Sequence, residues 1–378
     1  MLPSYMGFAL KAKLSAGPGL AGGLGDECVR NGWQRPFVVT DRGVEATPGF
    51  ARVVEGLGRG ATVAGIYAGV LPDTGVDIVA EGADLARAAG SDCLVAVGGG
   101  SVIDTAKGMA AVLTLGQSLS ELEGYNTIDR PLLPVIAVPT TAGSGSEVTT
   151  MAVIRDRERG VKLSYVSPYL TPDLAILDPE LTVSLSPWLT TCTAMDALSH
   201  AVEAYLSTEA NPYTDALALA AVGMIVPTLP VALRRSDDLE ARYRLLVASS
   251  MAGMAFGVAL VGCVHAMAHA LGGLLKVPHG LANAILLPYG MAYNQPVREQ
   301  RLRDLARAAG VDDIIAVARA LGTSTGIPAS LKDAGVPWDR LDEVAELAVL
   351  DGAIYTNPRE AAAADLLNLL QQAYEGRN

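Results

Sequence analysis

The four histidines of this 378-residue chain lie in its second half, and their spacing suits the binding of a metal ion. Asp196 and His200 stand four residues apart in TAMDALSHAVEAY, so both side chains fall on one face of a predicted helix. His265 and His269 repeat this spacing in GCVHAMAHALGG, and His279 follows in VPHGLANAILLP. Imidazoles combined with a carboxylate are typical ligands of Fe²⁺, Zn²⁺ and similar cations. The pattern therefore indicates a metal centre that draws on these five side chains.

Each of these residues also has an ordinary explanation. A single buried histidine is more often a hydrogen-bonded core residue than a ligand, and an aspartate–histidine pair at i,i+4 is often a surface hydrogen bond. Two such spacings and a Pro-His-Gly loop, in a chain with four histidines, nevertheless favour the metal site. Glu203 lies near the helix face of Asp196 and His200, and we interpret it as an ordinary helix residue.

Two glycine-rich loops compete as the binding site for the phosphates of a dinucleotide. The loop at 17–22 reads GPGLAG, formally a GxGxxG motif, but Pro18 removes an amide that a phosphate would use. The other loop lies between the predicted strand CLVAV and a predicted helix, and comprises Gly98, Gly99, Gly100 and Ser101. Glycines let the backbone approach a pyrophosphate, and a helix N-terminus offers free amides. Because ligands bind at the carboxyl ends of parallel strands, we favour the loop at 98–101.

Two aspartates are added to this predicted cofactor site. Ser101 and Asp104 have a capping-box-like spacing, so Asp104 is expected to cap the helix while the glycine amides bind phosphate. Asp41 follows the predicted strand PFVVT, where a carboxylate accepts hydrogen bonds from a ribose 2′-hydroxyl and repels a 2′-phosphate. The cofactor is therefore predicted to be NAD rather than NADP.

The hydrophobic pattern divides the chain into an α/β part and a helical part. In the first part, short apolar runs such as PFVVT, CLVAV and LPVIAV alternate with helical stretches. This alternation predicts βαβ units and a mainly parallel, Rossmann-like sheet. Near Pro187 the strand signals end and long Ala/Leu/Met-rich helical stretches begin. We therefore predict a dinucleotide-binding α/β domain at 1–185 and an all-α metal- and substrate-binding domain at 186–378.

Composition and charge disfavour several classes of protein. The net charge of −12 would repel phosphate backbones, which argues against a nucleic-acid partner. We identify no basic region typical of a signal peptide and no apolar run of about 18 residues, so no membrane span is expected. Half of the residues are hydrophobic, which allows a large core. The four scattered cysteines form no CxxC pair and fit a reducing cytoplasm.

Several segments together resemble the iron-containing (group III) alcohol dehydrogenases, and the likeness runs over nearly the whole chain. They are GGGSVIDTAKG at 98–108, PTTAGSGSEVT at 139–149, MDALSHAVEAY at 195–205 and VHAMAHALGG…VPHGLANAILLP at 264–288. The resemblance implies a dinucleotide-binding α/β domain joined to a helical metal-binding domain, with cofactor and substrate between them. It also implies reversible hydride transfer between a small primary alcohol and NAD, in a dimer or larger homo-oligomer.

The resemblance assigns roles to individual residues as well. It implies that the metal, Fe²⁺ with Zn²⁺ as the alternative, is bound by Asp196, His200, His265 and His279. His269 would then lie near the nicotinamide as a catalytic residue that does not bind the metal. The loop at 98–101 becomes the pyrophosphate loop in place of 17–22. Further cofactor contacts are implied for Thr140, Thr141, Ser144 and Lys162.

The chain departs from the family's pattern at three places. Val258-Ala259-Leu260-Val261-Gly262 stands where relatives often have Asn-x-Gly-x-Gly, close to the expected substrate pocket. A PxPT turn is shortened to Leu71-Pro72-Asp73-Thr74, and Ala194 replaces a usual glycine. The first of these departures leaves the identity of the alcohol open.

Three other functions remain as alternatives on the same fold. A dehydroquinate-synthase-like enzyme and a maleylacetate reductase would both need several basic residues for an anionic substrate. Lys276 is the main basic residue that we find near the predicted ligands. A non-catalytic cofactor-binding protein is the third alternative, and the intact ligand and loop motifs argue against it.

Overall fold

The structure is a computed structural model and describes residues 7–8, 10–159, 161–323 and 326–376. Contacts along the chain separate into two compact units. The α/β unit comprises Leu10–Thr141 and Gly145–Ser184, and the helical unit contains Ala142–Ser144 and Leu185–Asn378. The predicted fold class, a mainly parallel α/β part followed by a helical part, is confirmed.

Two sheets form the centre of the α/β unit. Their strands are β1 (Lys13–Ala16), β2 (Pro36–Val39), β3 (Gly65–Tyr67), β4 (Cys93–Gly98), β5 (Gly124–Tyr125), β6 (Val135–Pro139), β7 (Met151–Asp156), β8 (Val161–Val166) and β9 (Leu174–Leu177). The larger sheet has the order β1-β9-β6-β4-β2-β3, and all its strands pair in parallel. In the smaller sheet, β7 pairs antiparallel with β8, and β5 pairs with β8 on its other side.

Alternate residues of the central strands pack into two different cores. The helices of this unit are α1 (Leu24–Asn31), α2 (Arg42–Glu45), α3 (Pro48–Gly58), α4 (Val76–Ala88) and α5 (Gly100–Leu115). Leu94 and Ala96 of β4 belong to the core that includes residues of α4 and α5. Val95 and Val97 belong to the core that includes residues of α1 and α3. Burial on both faces explains why CLVAV reads as one continuous apolar run.

The described part of the helical unit contains eight α-helices. They are α6 (Pro187–Leu206), α7 (Pro212–Arg234), α8 (Leu239–Ala259), α9 (Cys263–Leu275), α10 (His279–Ala309), α11 (Ile314–Thr323), α12 (Leu341–Val349) and α13 (Ala363–Glu375). Pro187 occupies the first turn of α6, where its missing amide hydrogen costs nothing. The Ser186 hydroxyl accepts a hydrogen bond from the Leu189 amide at 3.2 Å and caps the helix.

Among the described helices, α7 is long and apolar enough to cross a membrane by length and composition, as is the bent pair α8–α9 if it is counted as one span. The expectation that no apolar run reaches this length is therefore wrong. Helix α7 packs against α6 and α8 and buries Ala218, Val222 and Ile225. These contacts account for its apolar character as that of a core helix.

Candidate metal centre and cofactor loops

Three helices of the helical unit bring the four predicted ligands together. Asp196 and His200 lie one turn apart on α6, His265 lies in the first turn of α9, and His279 is the first residue of α10. One potential ligand atom from each residue lies within 4.8 Å of those of the other three. Asp196 Oδ1 is 3.4 Å from His279 Nε2 and 3.8 Å from His265 Nε2.

Burial changes the pKa values of these side chains in a direction that favours cation binding. It lowers the pKa of His200 and lowers that of His265 well below the usual value, which favours the neutral imidazole whose lone pair can bind a cation. Burial alone would raise the pKa of Asp196, but the neighbouring histidines and an Asn283 hydrogen bond lower it below its ordinary value. Neutral imidazoles beside an ionised carboxylate are the donor set that a borderline divalent cation prefers. The residues present therefore fit such a cation.

Glu203 supports the histidine of α9, which corrects its interpretation as an ordinary helix residue. It is buried on α6, and its carboxylate lies 2.6 Å from His265 Nδ1. The same carboxylate accepts hydrogen bonds from the amides of Val264 at 2.7 Å and His265 at 3.2 Å, at the start of α9. Burial raises the pKa of Glu203 to about 7. An acceptor on Nδ1 fixes the ring and leaves Nε2 of His265 as the ligand atom.

His269 lies one turn after His265 and has a different partner. Its Nδ1 is 3.0 Å from the Asp351 carboxylate, and its ring stacks on that of His279 with 5.3 Å between centroids. Burial would raise the pKa of Asp351, but the hydrogen bond from His269 helps to lower it below its ordinary value. The His269 side chain is 35% exposed, whereas that of His265 is 2% exposed. The two histidines of one helix face therefore occupy distinct environments.

The turn between α8 and α9 contains a strained residue. Leu260 adopts φ 61° and ψ −167°, a region that is essentially restricted to glycine. The family resemblance places this leucine at the first glycine of the Asn-x-Gly-x-Gly pattern. Leu260 thus has a backbone conformation that suits glycine. It lies just before α9, the helix that carries His265.

Leu260→Gly is expected to raise the free energy of unfolding by about 1 kcal/mol. A residue in this region costs about 1–3 kcal/mol, and the entropy of glycine offsets part of the gain. Thermal and denaturant unfolding measure the difference. Leu260→Ala is the control, because alanine keeps the Cβ that causes the strain and should give no gain. A glycine variant no more stable than the alanine variant would contradict this account.

In the α/β unit, the predicted pyrophosphate loop ends β4 and begins α5. Gly99 is the N-cap, so Gly100 and Ser101 form the first turn, whose amides have no acceptor within the helix. A Cβ on Gly98 would lie 2.5 Å from the Val102 side chain, and one on Gly99 would lie 3.2 Å from Thr141 Oγ1. The adjacent Thr140 amide donates to Gly98 O at 3.0 Å. Gly98–Ser101, Thr140 and Thr141 are therefore neighbours in this unit, while Ser144 groups with the helical unit.

Asp104 does not cap α5, so the expected capping box is wrong. The N-cap has no side-chain hydrogen bond, and Asp104 lies a full turn into the helix. Its carboxylate accepts hydrogen bonds from Ser146 Oγ at 2.5 Å and from the Val153 amide of β7 at 3.0 Å. Asp104 thus connects α5 to the loop after β6 and to the smaller sheet.

The formal GxGxxG loop at 17–22 uses its amides within the protein. The Asp178 carboxylate accepts hydrogen bonds from the amides of Gly19 at 3.1 Å and Ala21 at 3.0 Å. The Gly17 amide donates to Leu177 O at 3.0 Å. These contacts support the interpretation of 17–22 as a structural turn.

Two further predicted cofactor residues have protein partners. Asp41 is the N-cap of α2, and its Oδ1 accepts a hydrogen bond from the Val44 amide at 2.9 Å. Lys162 on β8 forms an ion pair with Asp73 at 2.9 Å, and Asp73 also pairs with Arg155. Asp73 belongs to the shortened turn noted in the sequence and has a positive φ of 57°.

Comparison with known proteins identifies the family. Residues 12–179 match the iron-containing alcohol dehydrogenase family, and residues 190–374 match the C-terminal region of the same family. The 1,3-propanediol dehydrogenase of Klebsiella pneumoniae is 37% identical over 371 residues, which cover 95% of this chain and 96% of that protein.

Solved structures of similar proteins superimpose on nearly the whole chain. A 1,3-propanediol oxidoreductase superimposes with a TM-score of 0.95 at 36% identity, covering 98% of this chain and 100% of that one. Sulfoacetaldehyde reductase from Bifidobacterium kashiwanohense, solved in complex with NAD⁺, has a TM-score of 0.90 at 28% identity, with 98% and 99% covered. The chain is therefore an oxidoreductase that belongs to the iron-containing alcohol dehydrogenase family.

Proposed function

We propose that the enzyme interconverts a small primary alcohol and its aldehyde by hydride transfer to or from NAD(H) at a metal centre. The observation that carries this proposal is the convergence of Asp196, His200, His265 and His279 within 4.8 Å. The name of the Klebsiella relative and the NAD⁺ bound to the sulfoacetaldehyde reductase support the substrate class and the cofactor.

These four residues would hold Fe²⁺, with Zn²⁺ as the alternative, because their donor set binds both ions. A divalent cation at this position supplies Lewis acidity, which lowers the pKa of an alcohol hydroxyl and polarises an aldehyde carbonyl. Glu203 keeps the His265 ring in place through Nδ1 at 2.6 Å. The chain thus contributes three imidazoles, one carboxylate and the Glu203 hydrogen bond that orients the His265 imidazole.

His269 is the residue that we assign to proton transfer. Asp351 accepts the Nδ1 hydrogen of His269 at 3.0 Å, which leaves Nε2 with the lone pair that accepts a proton. The partial exposure of the His269 side chain gives that proton access to solvent. Asp351 orients the ring and is a positioning residue in this scheme.

The α/β unit is proposed to bind the dinucleotide, and the helical unit the metal and substrate. The amides of Gly99, Gly100 and Ser101 would bind the pyrophosphate at the start of α5. The proposed cofactor set also includes Gly98, Thr140, Thr141, Ser144, Lys162 and Asp104. Asp104 would act through its hydrogen bond to Ser146.

We further propose that the enzyme is a cytoplasmic homodimer or larger homo-oligomer with neither nucleic-acid nor membrane partners. All four cysteines are buried, unpaired thiols, which fits a reducing compartment.

Asp41→Asn is expected to narrow a preference for NAD(H) over NADP(H). The carboxylate would repel a 2′-phosphate, so the wild-type enzyme should prefer NAD(H) at least tenfold in kcat/KM, about 1.4 kcal/mol. Asparagine caps a helix as well as aspartate does, so this variant removes the charge and keeps the cap on α2.

The control for this variant is thermal stability, which should not change because the cap remains. Steady-state kinetics with both cofactors give the ratio. A wild-type enzyme that uses NADPH as well as NADH would overturn the assignment of Asp41, and the neighbouring Arg42 would then be the residue to test.

The proposed function is tested by anaerobic purification with metal analysis, followed by a panel of alcohols and aldehydes monitored by NADH absorbance. We expect about one Fe²⁺ or Zn²⁺ per chain and turnover of at least one small primary alcohol. Metal-free protein with full turnover would refute the metal centre. Bound metal without turnover of any alcohol or aldehyde would refute the activity.

Reduction of an anionic substrate such as maleylacetate is less well supported. Lys276, the basic residue that the sequence places near the ligands, ends α9 in a left-handed conformation, and its ammonium donates to Gly273 O at 3.1 Å. The Lys276 ammonium therefore caps a carbonyl at the C-terminal end of α9.

A further inference from the structure

Asn283 places its amide nitrogen among three of the proposed ligands. It lies on α10 one turn after His279, and its side chain is fully buried. Its Nδ2 lies 2.7 Å from Asp196 Oδ1 and 3.2 Å from the Nε2 atoms of both His265 and His279. The sequence pattern alone gives no role to Asn283.

Of the three neighbours of this nitrogen, the carboxylate oxygen of Asp196 is the hydrogen-bond acceptor. Asp196 Oδ1 is a carboxylate oxygen at 2.7 Å and accepts the amide hydrogen, whereas the two imidazole nitrogens lie farther away at 3.2 Å. An amide nitrogen has two hydrogens, and the shortest of the three contacts is the one to Asp196. Within the described residues, Asn283 Oδ1 is buried without a hydrogen-bond partner. The Asn283 amide is therefore held through its hydrogen bond to Asp196, one of the proposed metal ligands.

We propose that Asn283 is a positioning residue of the metal centre, which fixes the Asp196 carboxylate by donating to Oδ1. Oδ1 is the carboxylate oxygen that lies 3.4 Å from His279 Nε2 and 3.8 Å from His265 Nε2. Without the donor, the carboxylate is free to rotate away from the imidazoles. This inference rests on the proposed metal centre and adds a positioning residue to it.

Asn283→Leu removes the amide and keeps a similar volume. Loss of a hydrogen bond to a ligand typically weakens metal binding 10- to 100-fold, so the dissociation constant for Co²⁺ and Zn²⁺ should rise by that factor. The visible absorption spectrum of bound Co²⁺ should change as well, because it reports the arrangement of the ligand atoms. Both measurements use the metal alone and need neither substrate nor NAD.

Asn294→Leu is the matched control on the same helix. Asn294 is also buried, but its amide bonds to Asn357 at 3.0 Å and not to the ligands. This variant should lose stability while it keeps the wild-type Co²⁺ spectrum and affinity. Asn283→Ala is the second variant if the leucine does not fold, because alanine removes the donor without adding apolar bulk.

The outcomes separate this inference from the proposed function. A wild-type protein that binds neither Co²⁺ nor Zn²⁺ would refute the metal centre, and the role of Asn283 with it. Wild-type binding together with an Asn283 variant of unchanged affinity and spectrum would refute the positioning role and leave the metal centre intact. Weaker binding with an altered spectrum in the Asn283 variant, and neither change in the Asn294 variant, supports it.

Discussion

His265→Ala is expected to yield an enzyme without bound metal and without alcohol-dependent reduction of NAD⁺. His265 is 2% exposed, and its ring lies among the other proposed ligands with Nδ1 bound to Glu203. The alanine removes one of four donors and leaves the buried Glu203 carboxylate facing a cavity. Elemental analysis of anaerobically purified protein measures the metal directly.

His269→Ala is the matched variant on the same helix face, and it is expected to keep the full metal content. Asp196, His200, His265 and His279 remain, so only the proposed proton acceptor is lost. Turnover should fall about 10²- to 10⁴-fold, which is the usual contribution of a positioned acid or base. Asp351→Ala should lower turnover in the same direction, because Asp351 holds the Nδ1 of this ring.

Metal loss in His269→Ala but not in His265→Ala would show that the wrong histidine of α9 has been assigned as the metal ligand. If His269→Ala loses the metal and His265→Ala retains it, the two histidines exchange roles, and a metal-dependent dehydrogenase still stands. Equal loss of metal in both variants would mean that His269 also contributes to metal binding.

Spacing alone could not distinguish these two histidines, because an interval of four residues directs both imidazoles to one helix face. The order came from the family resemblance, and the structure adds partners that separate the two environments. Glu203 lies 62 residues from His265 in the sequence, and Asp351 lies 82 residues from His269. Contacts between such distant positions arise from tertiary packing, and no local pattern reports them.

The glycine loops show the same limit of sequence patterns. The motif at 17–22 has the right residues, but nothing in its spacing reveals that Asp178 accepts its amides from more than 150 positions away. The four inner strands of the larger sheet, β2, β4, β6 and β9, were predictable because burial on both faces makes them continuous apolar runs. Strand β7 gives no such signal, because its MAVIRD mixes exposed and buried residues with charges; pairing with β8 and the burial of Ala152 and Ile154 in the core stabilise it.

Glu203→Gln is expected to weaken both metal binding and folding. The substitution keeps the size of the side chain but replaces one acceptor oxygen with an NH₂ donor. The Val264 and His265 amides and the His265 ring all need an acceptor at this place, so one of these hydrogens would face another donor. A buried donor left without a partner costs about 1–3 kcal/mol, so the free energy of unfolding should fall by at least that amount. Loss of the carboxylate behind His265 should also raise the dissociation constant for the metal about 10- to 100-fold.

Asp178→Asn is the control that separates the effect on stability from the effect on metal binding. Asp178 is also a buried carboxylate that accepts hydrogen bonds from backbone amides, but these amides belong to the turn at 17–22 and no histidine is involved. This variant should lose comparable stability and keep wild-type metal affinity. If Glu203→Gln behaves in the same way, then Glu203 only caps α9, and the orientation of His265 must come from its packing against His200, whose ring stacks on it with 4.5 Å between centroids. A selective loss of metal in the Glu203 variant would instead make this carboxylate part of the metal centre, since stability alone cannot account for it.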